Sequence, residues 1–194
     1  MIRVAGPGDV EIVLALVHEL AAYEREPDAV AMTADDLNAA LFGPTPSAHC
    51  LVAAATPESP AGQHDPTAGP DGGPPGAVAP PPAVVGFAIW HPTFSTWTGQ
   101  TGMYLVDLFV QPEHRRAGHG RTLLAALAAI GVEQGHRRLE WAVLDWNTPA
   151  QEFYRAIAAR PMTGWTTWRA DGAALADLAA VASPCPGTTP QHPA

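Results

Sequence analysis

The chain has 194 residues, with 10 Lys and Arg against 19 Asp and Glu and a net charge of −9. That length can bury a sizeable core in one domain, and the acidic balance disfavours nucleic acid or an anionic membrane as main partner while suiting a cationic one such as an amine. The two cysteines, Cys50 and Cys185, form no disulfide framework, no apolar run approaches the ~20 residues of a membrane span, and the N-terminus lacks the layout of a signal peptide, so a cytoplasmic protein is expected.

Taken in chain order, Asp9 stands at a helix start, and Val13, Leu16, Val17 and Leu20 repeat at i, i+3, i+4, i+7, which predicts a helix to about Glu24. Thr33, with Asp36 three residues on, predicts the cap of a second, short helix. Residues 49–55 read as a strand. Residues 56–83 are dense in Pro, Gly and Ala and hold almost no large apolar side chain, so they are expected to be a disordered loop inserted between two core strands. Further strands are predicted at 84–90 and 103–110, with a turn over 93–101 between them. A helix over 120–134 should bury Leu123, Leu124, Leu127 and Ile130 and end at Gly135. A strand over 139–144, a helix over 148–158 with Pro149 in its first turn, a strand over 165–169 and a helix over 173–181 complete the pattern. The whole reads as one α/β (α+β) domain over 1–182 with a disordered tail over 183–194.

The informative segment is the strand Tyr104–Val110 running through Gln111-Pro112-Glu113-His114 into Arg115-Arg116-Ala117-Gly118-His119-Gly120-Arg121 and a helix. A strand, a glycine-containing basic turn and a helix N-terminus make an anion cradle, because N–H groups converge there and the helix dipole favours negative charge. The spacing is neither a P-loop nor a dinucleotide fingerprint. A bare phosphate site or a purely structural turn fits these residues as well. Elsewhere the eight His make no zinc pattern, so no metal is expected, and no nucleophile elbow is present.

With Arg115-x-x-Gly118-x-Gly120 following a strand that ends in Val110, the segment resembles the acetyl-CoA motif of the GNAT N-acetyltransferases. Further matches extend from about residue 9 to 180: Glu19-Leu-Ala-Ala-Tyr-Glu24, His49-Cys-Leu-Val-Ala53, Val84-Val-Gly-Phe-Ala88, Ser95-Thr-Trp-Thr-Gly99, Tyr104-Leu-x-Asp-x-Phe-Val110 and Ala142-Val-Leu-Asp-Trp-Asn147. These are similar to the diamine acetyltransferase branch, which includes spermidine/spermine and thialysine Nε-acetyltransferases.

The resemblance implies a GNAT fold, a single mixed, mostly antiparallel sheet flanked by helices, and transfer of an acetyl group to a small-molecule amine. It implies that Arg115, Arg116, Ala117, Gly118, His119, Gly120 and Arg121 hold the pyrophosphate of acetyl-CoA. It gives the pantetheine amides the strand edge at Leu108, Phe109 and Val110, one of whose N–H groups would also stabilise an oxyanion. It makes Asn147 and Tyr154 a second cofactor motif, with Tyr154 as general acid. Tyr23, Glu24, Trp97, Asp107 and Trp141 would face the amine, since carboxylates and aromatic faces suit an ammonium group. It implies a homodimer. Each residue also has an ordinary reading: surface arginines at 115 and 116, core packing for Phe109, Val110, Trp97, Trp141 and Tyr154, a solvated Glu24, and a simple helix cap at Asn147.

The chain departs from the family at four places. Val106 stands where a glutamate is expected to deprotonate the amine, and Arg116 replaces a glycine of the cradle. Ile157-Ala158-Ala159 replaces Leu-Gly-Ala, and Thr163 replaces an acidic residue. Asp107 is adjacent to Val106, but neighbouring strand residues point to opposite faces, so Asp107 is not an automatic substitute for the missing base. Two functions follow: an acetyl-CoA-dependent N-acetyltransferase with Asp107 and Tyr154 as catalytic residues, or a protein that keeps acetyl-CoA only as a ligand.

Overall fold

The computed structural model describes residues 1–55 and 82–182. Most of the expected loop at 56–83, the expected tail at 183–194 and Cys185 lie outside the described residues. The chain divides into two units, Met1–Ala142 and Val143–Ala194, taken here in turn.

The first unit is an open five-stranded sheet in the order β1-β2-β3-β4-β5. The strands are β1 (Ile2–Val4), β2 (His49–Ala54), β3 (Val84–Ser95), β4 (Gln100–Val110) and β5 (Leu139–Glu140), with helices α1 (Val10–Tyr23), α2 (Ala34–Phe42) and α3 (His119–Glu133). The first three pairings are antiparallel and β4–β5 is parallel, so the mixed, mostly antiparallel sheet flanked by helices is what forms.

α1 lays Val10, Val13, Leu16 and Leu20 on one sheet face, against Cys50, Val52, Phe87, Ile89 and Phe109, together with Leu37 and Leu41 of α2. Side chains alternate across a strand, so Leu51, Ala88 and Trp90 belong to the other face, where α3 buries Leu123, Leu124 and Leu127. Ile130, expected in this core, is only half-buried, and Gly131 is buried instead. Thr33 caps α2 by accepting from the Asp36 N–H at 3.2 Å, while Asp36 accepts the Thr33 N–H at 2.9 Å, the reciprocal box that the sequence indicated. Asp9 precedes α1 but does not cap it. Its carboxylate is taken by Arg3, at 2.6 and 2.7 Å, and by the Gly6 N–H at 2.7 Å, which pins the chain entering α1 to β1.

Several boundaries differ from expectation. β1 was not foreseen, being only three residues long. β3 and β4 extend through Ser95 and from Gln100, so the expected turn over 93–101 shrinks to four residues, because Thr93, Phe94 and Thr101 find ladder partners across the hairpin. β5 is two residues rather than the six expected over 139–144, since only Leu139 and Glu140 have β4 to pair with.

In the second unit, α4 (Thr148–Ala156) starts from Asn147, and α5 (Gly172–Ala180) has no buried residue. The strand expected over 165–169 does not form. Trp165 and Trp168 are 70% and 90% exposed, and no ladder partner exists among the described residues to satisfy such a strand.

Two glycines have geometric reasons. Gly135 ends α3 at φ +77°, as expected. Gly86 lets β3 approach β4, because a Cβ there would lie 2.6 Å from the Phe109 carbonyl oxygen and 3.1 Å from Val110 Cγ2. Gly86→Ala should therefore cost about 1–3 kcal/mol, as overpacking against backbone does, and a lowered urea midpoint at unchanged slope would register it.

Candidate active site

The site begins where β4 leaves regular pairing. Ile89 pairs with Asp107 and Trp90 with Leu105, so Val106 is an extra residue in the ladder, a β-bulge. Leu105 therefore shares the α3 face with Trp90, while Asp107 shares the α1 face with Ile89. Simple alternation would have put Leu105 and Asp107 on one face. The opposite-face argument against Asp107 consequently does not hold at this place, and Val106 itself is 47% exposed.

α1 ends beside this bulge. Burial pushes the Asp107 carboxyl above the usual carboxylate range. Glu24 is pushed up as well, first by burial and then by the negative charge of Asp107, which places the two acids within electrostatic reach of each other. Two half-buried carboxylates within electrostatic reach form a local well for a cation, and each holds a proton more readily than a solvated acid does.

The segment after β4 lies along the same end of α1. Gln111 Nε2 donates to Glu19 Oε1 at 2.9 Å. The Arg115 guanidinium lies 4.7 Å from the Tyr23 ring centroid and 5.7 Å from that of Phe109, and its Nε donates to the Val110 carbonyl at 2.9 Å. On the sheet side, β5 pairs with β4 only at Met103 and Tyr104. Among the described residues, the β4 edge from Leu105 to Val110 on that side has no strand partner. Phe109 and Val110 bury their side chains, and Leu108 is half-buried.

The cradle follows. Arg116 has φ +64° and Gly118 φ +85°, and α3 begins at His119. Gly118 is the N-cap position and offers no side chain; a Cβ there would meet nothing within 4 Å. Thr122 closes the first turn onto the Gly118 carbonyl with its N–H and Oγ1, both at 3.0 Å. The first-turn N–H groups of a helix have no acceptor within the helix. Here that turn contains no acid and carries Arg121, the reverse of what the helix dipole prefers, unless an anion sits there. Arg116, Ala117, Gly118 and Arg121 are exposed, and His119 and Gly120 are half-buried.

In the second unit, Asn147 is buried and its Oδ1 accepts the Ala150 N–H at 3.3 Å, the capping role foreseen as compatible with either reading. Tyr154 lies on α4, its ring 5.4 Å from that of Phe153. Ala158, at the family's glycine position, has φ +63°. Trp97 stands in the β3–β4 turn, 85% exposed, and Trp141 follows β5, half-buried.

Thus the first unit brings together Tyr23, Glu24, Asp107, Phe109, Val110 and Arg115, with Arg116 to Arg121 lining the start of α3. The sequence reading missed the Gln111–Glu19 bond and the bulge. The first had a signal: Glu19 and Tyr23, and Gln111 and Arg115, are both spaced four apart. The second had none, because a bulge is set by pairing with another strand. Cys50 takes no part: burial pushes its thiol to about 12, which keeps it protonated and inert. Among the described residues no cluster of three or more His, Cys, Asp or Glu is placed to hold a metal ion, and no helix is long and apolar enough to cross a membrane.

Residues 57–158 match the acetyltransferase (GNAT) family, and the chain belongs to it. It is 36% identical to the thialysine N-epsilon-acetyltransferase of Bos taurus, over 92% of this chain and 96% of that one. It is 30% identical to an L-ornithine N5-acetyltransferase of Arabidopsis thaliana, over 90% and 85%. A solved integron cassette protein from the mobile metagenome of V. cholerae shares the fold, with a TM-score of 0.65, 24% identity and coverage of 92% of this chain and 96% of that one. The protein is an N-acetyltransferase.

The positive φ at Arg116 turns the missing glycine into a measurable cost. A non-glycine residue in the left-handed region is strained by about 1–2 kcal/mol, part of which returns through the more restricted unfolded chain. Arg116→Gly should raise stability by roughly 0.5–1 kcal/mol. Chemical denaturation read by tryptophan fluorescence would show an unchanged or lowered midpoint if that account is wrong.

Proposed function

We propose that the protein uses acetyl-CoA to acetylate a primary amine of a small molecule, a polyamine or a thialysine- or lysine-like compound. The observation that carries this reading is the acidic pair Glu24 and Asp107, set where α1 ends against the β4 bulge. The relatives act on the amines their names state, and a cationic substrate matches this pair. The start of α3 fits the phosphate-rich part of acetyl-CoA, because its first turn is uncapped by side chains, free of acids, glycine-led and basic. Arg116 through Arg121 would hold that part, and the open edge at Leu108, Phe109 and Val110 would take the pantetheine amides. For the second unit, the family resemblance gives Asn147 and Tyr154 as the residues that would face the cofactor. Bound there, acetyl-CoA supplies the activated acyl group.

The chain's own residues then have separate tasks. Tyr23 and Glu24 bind and orient the ammonium end, through charge and an aromatic face, while Trp97 and Trp141 rest on the family resemblance alone. Asp107 takes the proton of the amine, directly or through water, in place of the glutamate absent at Val106. The family resemblance gives the phenol of Tyr154, in the second unit, the part of general acid for the departing thiol. The reading as a binding protein without catalysis is not favoured, since the bulge leaves an acid available where Val106 cannot accept a proton.

The test is a panel of polyamines, lysine analogues, ornithine and amino sugars assayed with acetyl-CoA across pH; turnover of none of them would end the proposal. The pH dependence has a defined sign. Asp107 and Glu24 both hold protons above the usual carboxylate range, so activity should fall on acidification at a higher pH than an exposed acid would give. Asp107→Asn should lower kcat by about 10²-fold or more at neutral pH with acetyl-CoA binding unchanged, and Val106→Glu should bring no gain, since Asp107 already serves as the base; a rise of roughly 10-fold in Val106→Glu would mean that the base is missing. Stability should move oppositely. A carboxyl with a raised folded-state pKa stabilises the protein only at low pH, and that contribution is lost as pH rises from the ordinary carboxylate range through the raised value. Asp107→Asn should thus melt higher than wild type at neutral pH; a lower melting temperature would mean that the carboxylate is structural.

The protein acts as a cytoplasmic homodimer. The family resemblance and the exposed apolar side chains of the second unit, Trp168, Leu175, Leu178 and Val181, support the dimer. Light scattering at micromolar concentration should give twice the 20.3 kDa chain mass; a monomer mass contradicts it.

A further inference from the structure

Arg115 heads the cradle in sequence, and a cation there suggests phosphate binding. Its side chain is otherwise engaged. We infer that Arg115 is a positioning residue: it clasps the last turn of α1 to the last residue of β4, so that the amine-side acids are held in register with the cofactor-side strand edge. This rests on the proposed acetyl-CoA-dependent amine transfer.

Three contacts converge on one side chain. Nε donates to the Val110 carbonyl at 2.9 Å, and the guanidinium carbon lies over the Tyr23 ring at 4.7 Å and the Phe109 ring at 5.7 Å. A guanidinium does this where an ammonium cannot, because it stacks flat on a ring and keeps a separate N–H for a carbonyl. Arg115 belongs to neither the Arg3–Asp9 nor the Arg138–Glu140 ion pair, and its contacts are with a carbonyl and two rings. Gln111 repeats the arrangement one turn earlier, with its bond to Glu19. Glu19 and Tyr23 share a face of α1, so Gln111 and Arg115 grip the same stripe of the helix at two levels.

The consequence falls on Glu24. It directly follows Tyr23 at the end of α1, and Asp107 lies on β4 three residues before Val110. Loosening Arg115 frees the last turn of α1 and with it the spacing of the acid pair. The same residue opens the cradle, since Arg116 and Gly118 take their left-handed conformations immediately after it. The geometry of the amine site and of the cofactor loop therefore meet in one side chain.

Arg115→Lys separates positioning from charge, because it keeps the cation and loses the planar stack. The expected result is a loss of about 10-fold in kcat/KM for the amine with the acetyl-CoA Kd changed by less than about 3-fold, as a small misplacement of a reacting group gives. Hydrogen exchange at amides 21–24 should quicken by a similar factor. Tyr23→Leu should do the same, and the double variant should be no worse than the larger single effect. Full activity in Arg115→Lys, with the defect of Arg115→Ala confined to acetyl-CoA Kd, would overturn the inference and leave a plain anion ligand. If the wild type acetylates no amine, the proposed function fails on its own. Exchange then decides the clasp without turnover: unchanged or additive exchange in the two variants overturns it, and non-additive quickening upholds it.

Discussion

The packing of α1 on β3 and β4 is what the rest of the molecule rests on. Val13, Leu16 and Leu20 meet Ile89 and Phe109 on one sheet face, and all of these are buried. Each such side chain is worth about 1.5–3 kcal/mol removed from water. Like-charge repulsion at an effective dielectric of 20 is of order a few kcal/mol even at close range. The apolar contact therefore wins easily, and it can hold Glu24 near Asp107 although neither acid gains from it. A protein selected only for stability would have no use for that pair. Its presence at the end of a helix that buries one whole face is what marks the place as a site.

Strain tells the same story at the other end of the loop. Arg116 and Ala158 occupy left-handed backbone where glycine would be relaxed. Two side chains held against their preference, on the cradle and after α4, need surroundings that over-determine the turn. For Arg116 the surroundings are visible: Arg115 is tied down on one side and α3 begins three residues on. The gain from an arginine there is an exposed cation beside an uncapped helix start.

Most of the fold was legible because it is local or periodic. The 3.6-residue repeat announced α1 and α3, and the Thr33–Asp36 box announced α2. What was not legible depends on a partner across space. β1 is too short to show a period. β3 and β4 outrun their apolar cores because each pairs the other, and the expected strand at 165–169 joins no ladder among the described residues. The bulge belongs to the same class. Nothing in Tyr104-Leu-Val-Asp107 says that Val106 will drop out of register with Trp90 and Ile89. The candidate residues were legible from family likeness, yet Arg115 shows the limit of that route: the motif gives a position and a charge, and only the fold shows what the side chain touches.

The bulge also changes what the valine means. In a regular strand, Val106 in place of a glutamate would remove the base and leave its neighbour aimed elsewhere. In a bulged strand, the chain can lose a carboxylate at one position and keep one within the same site at the next, because the extra residue breaks the strict two-residue alternation. Asp107 is the more buried solution, and burial raises its affinity for a proton. That suits a base, which must hold the proton it takes, more than it suits a simple counter-ion, which is best when it stays charged. Acetyl transfer to an amine gains most of its rate from bringing the two reactants together. The demands on the base are therefore modest, and those on the position of α1 relative to β4 are severe.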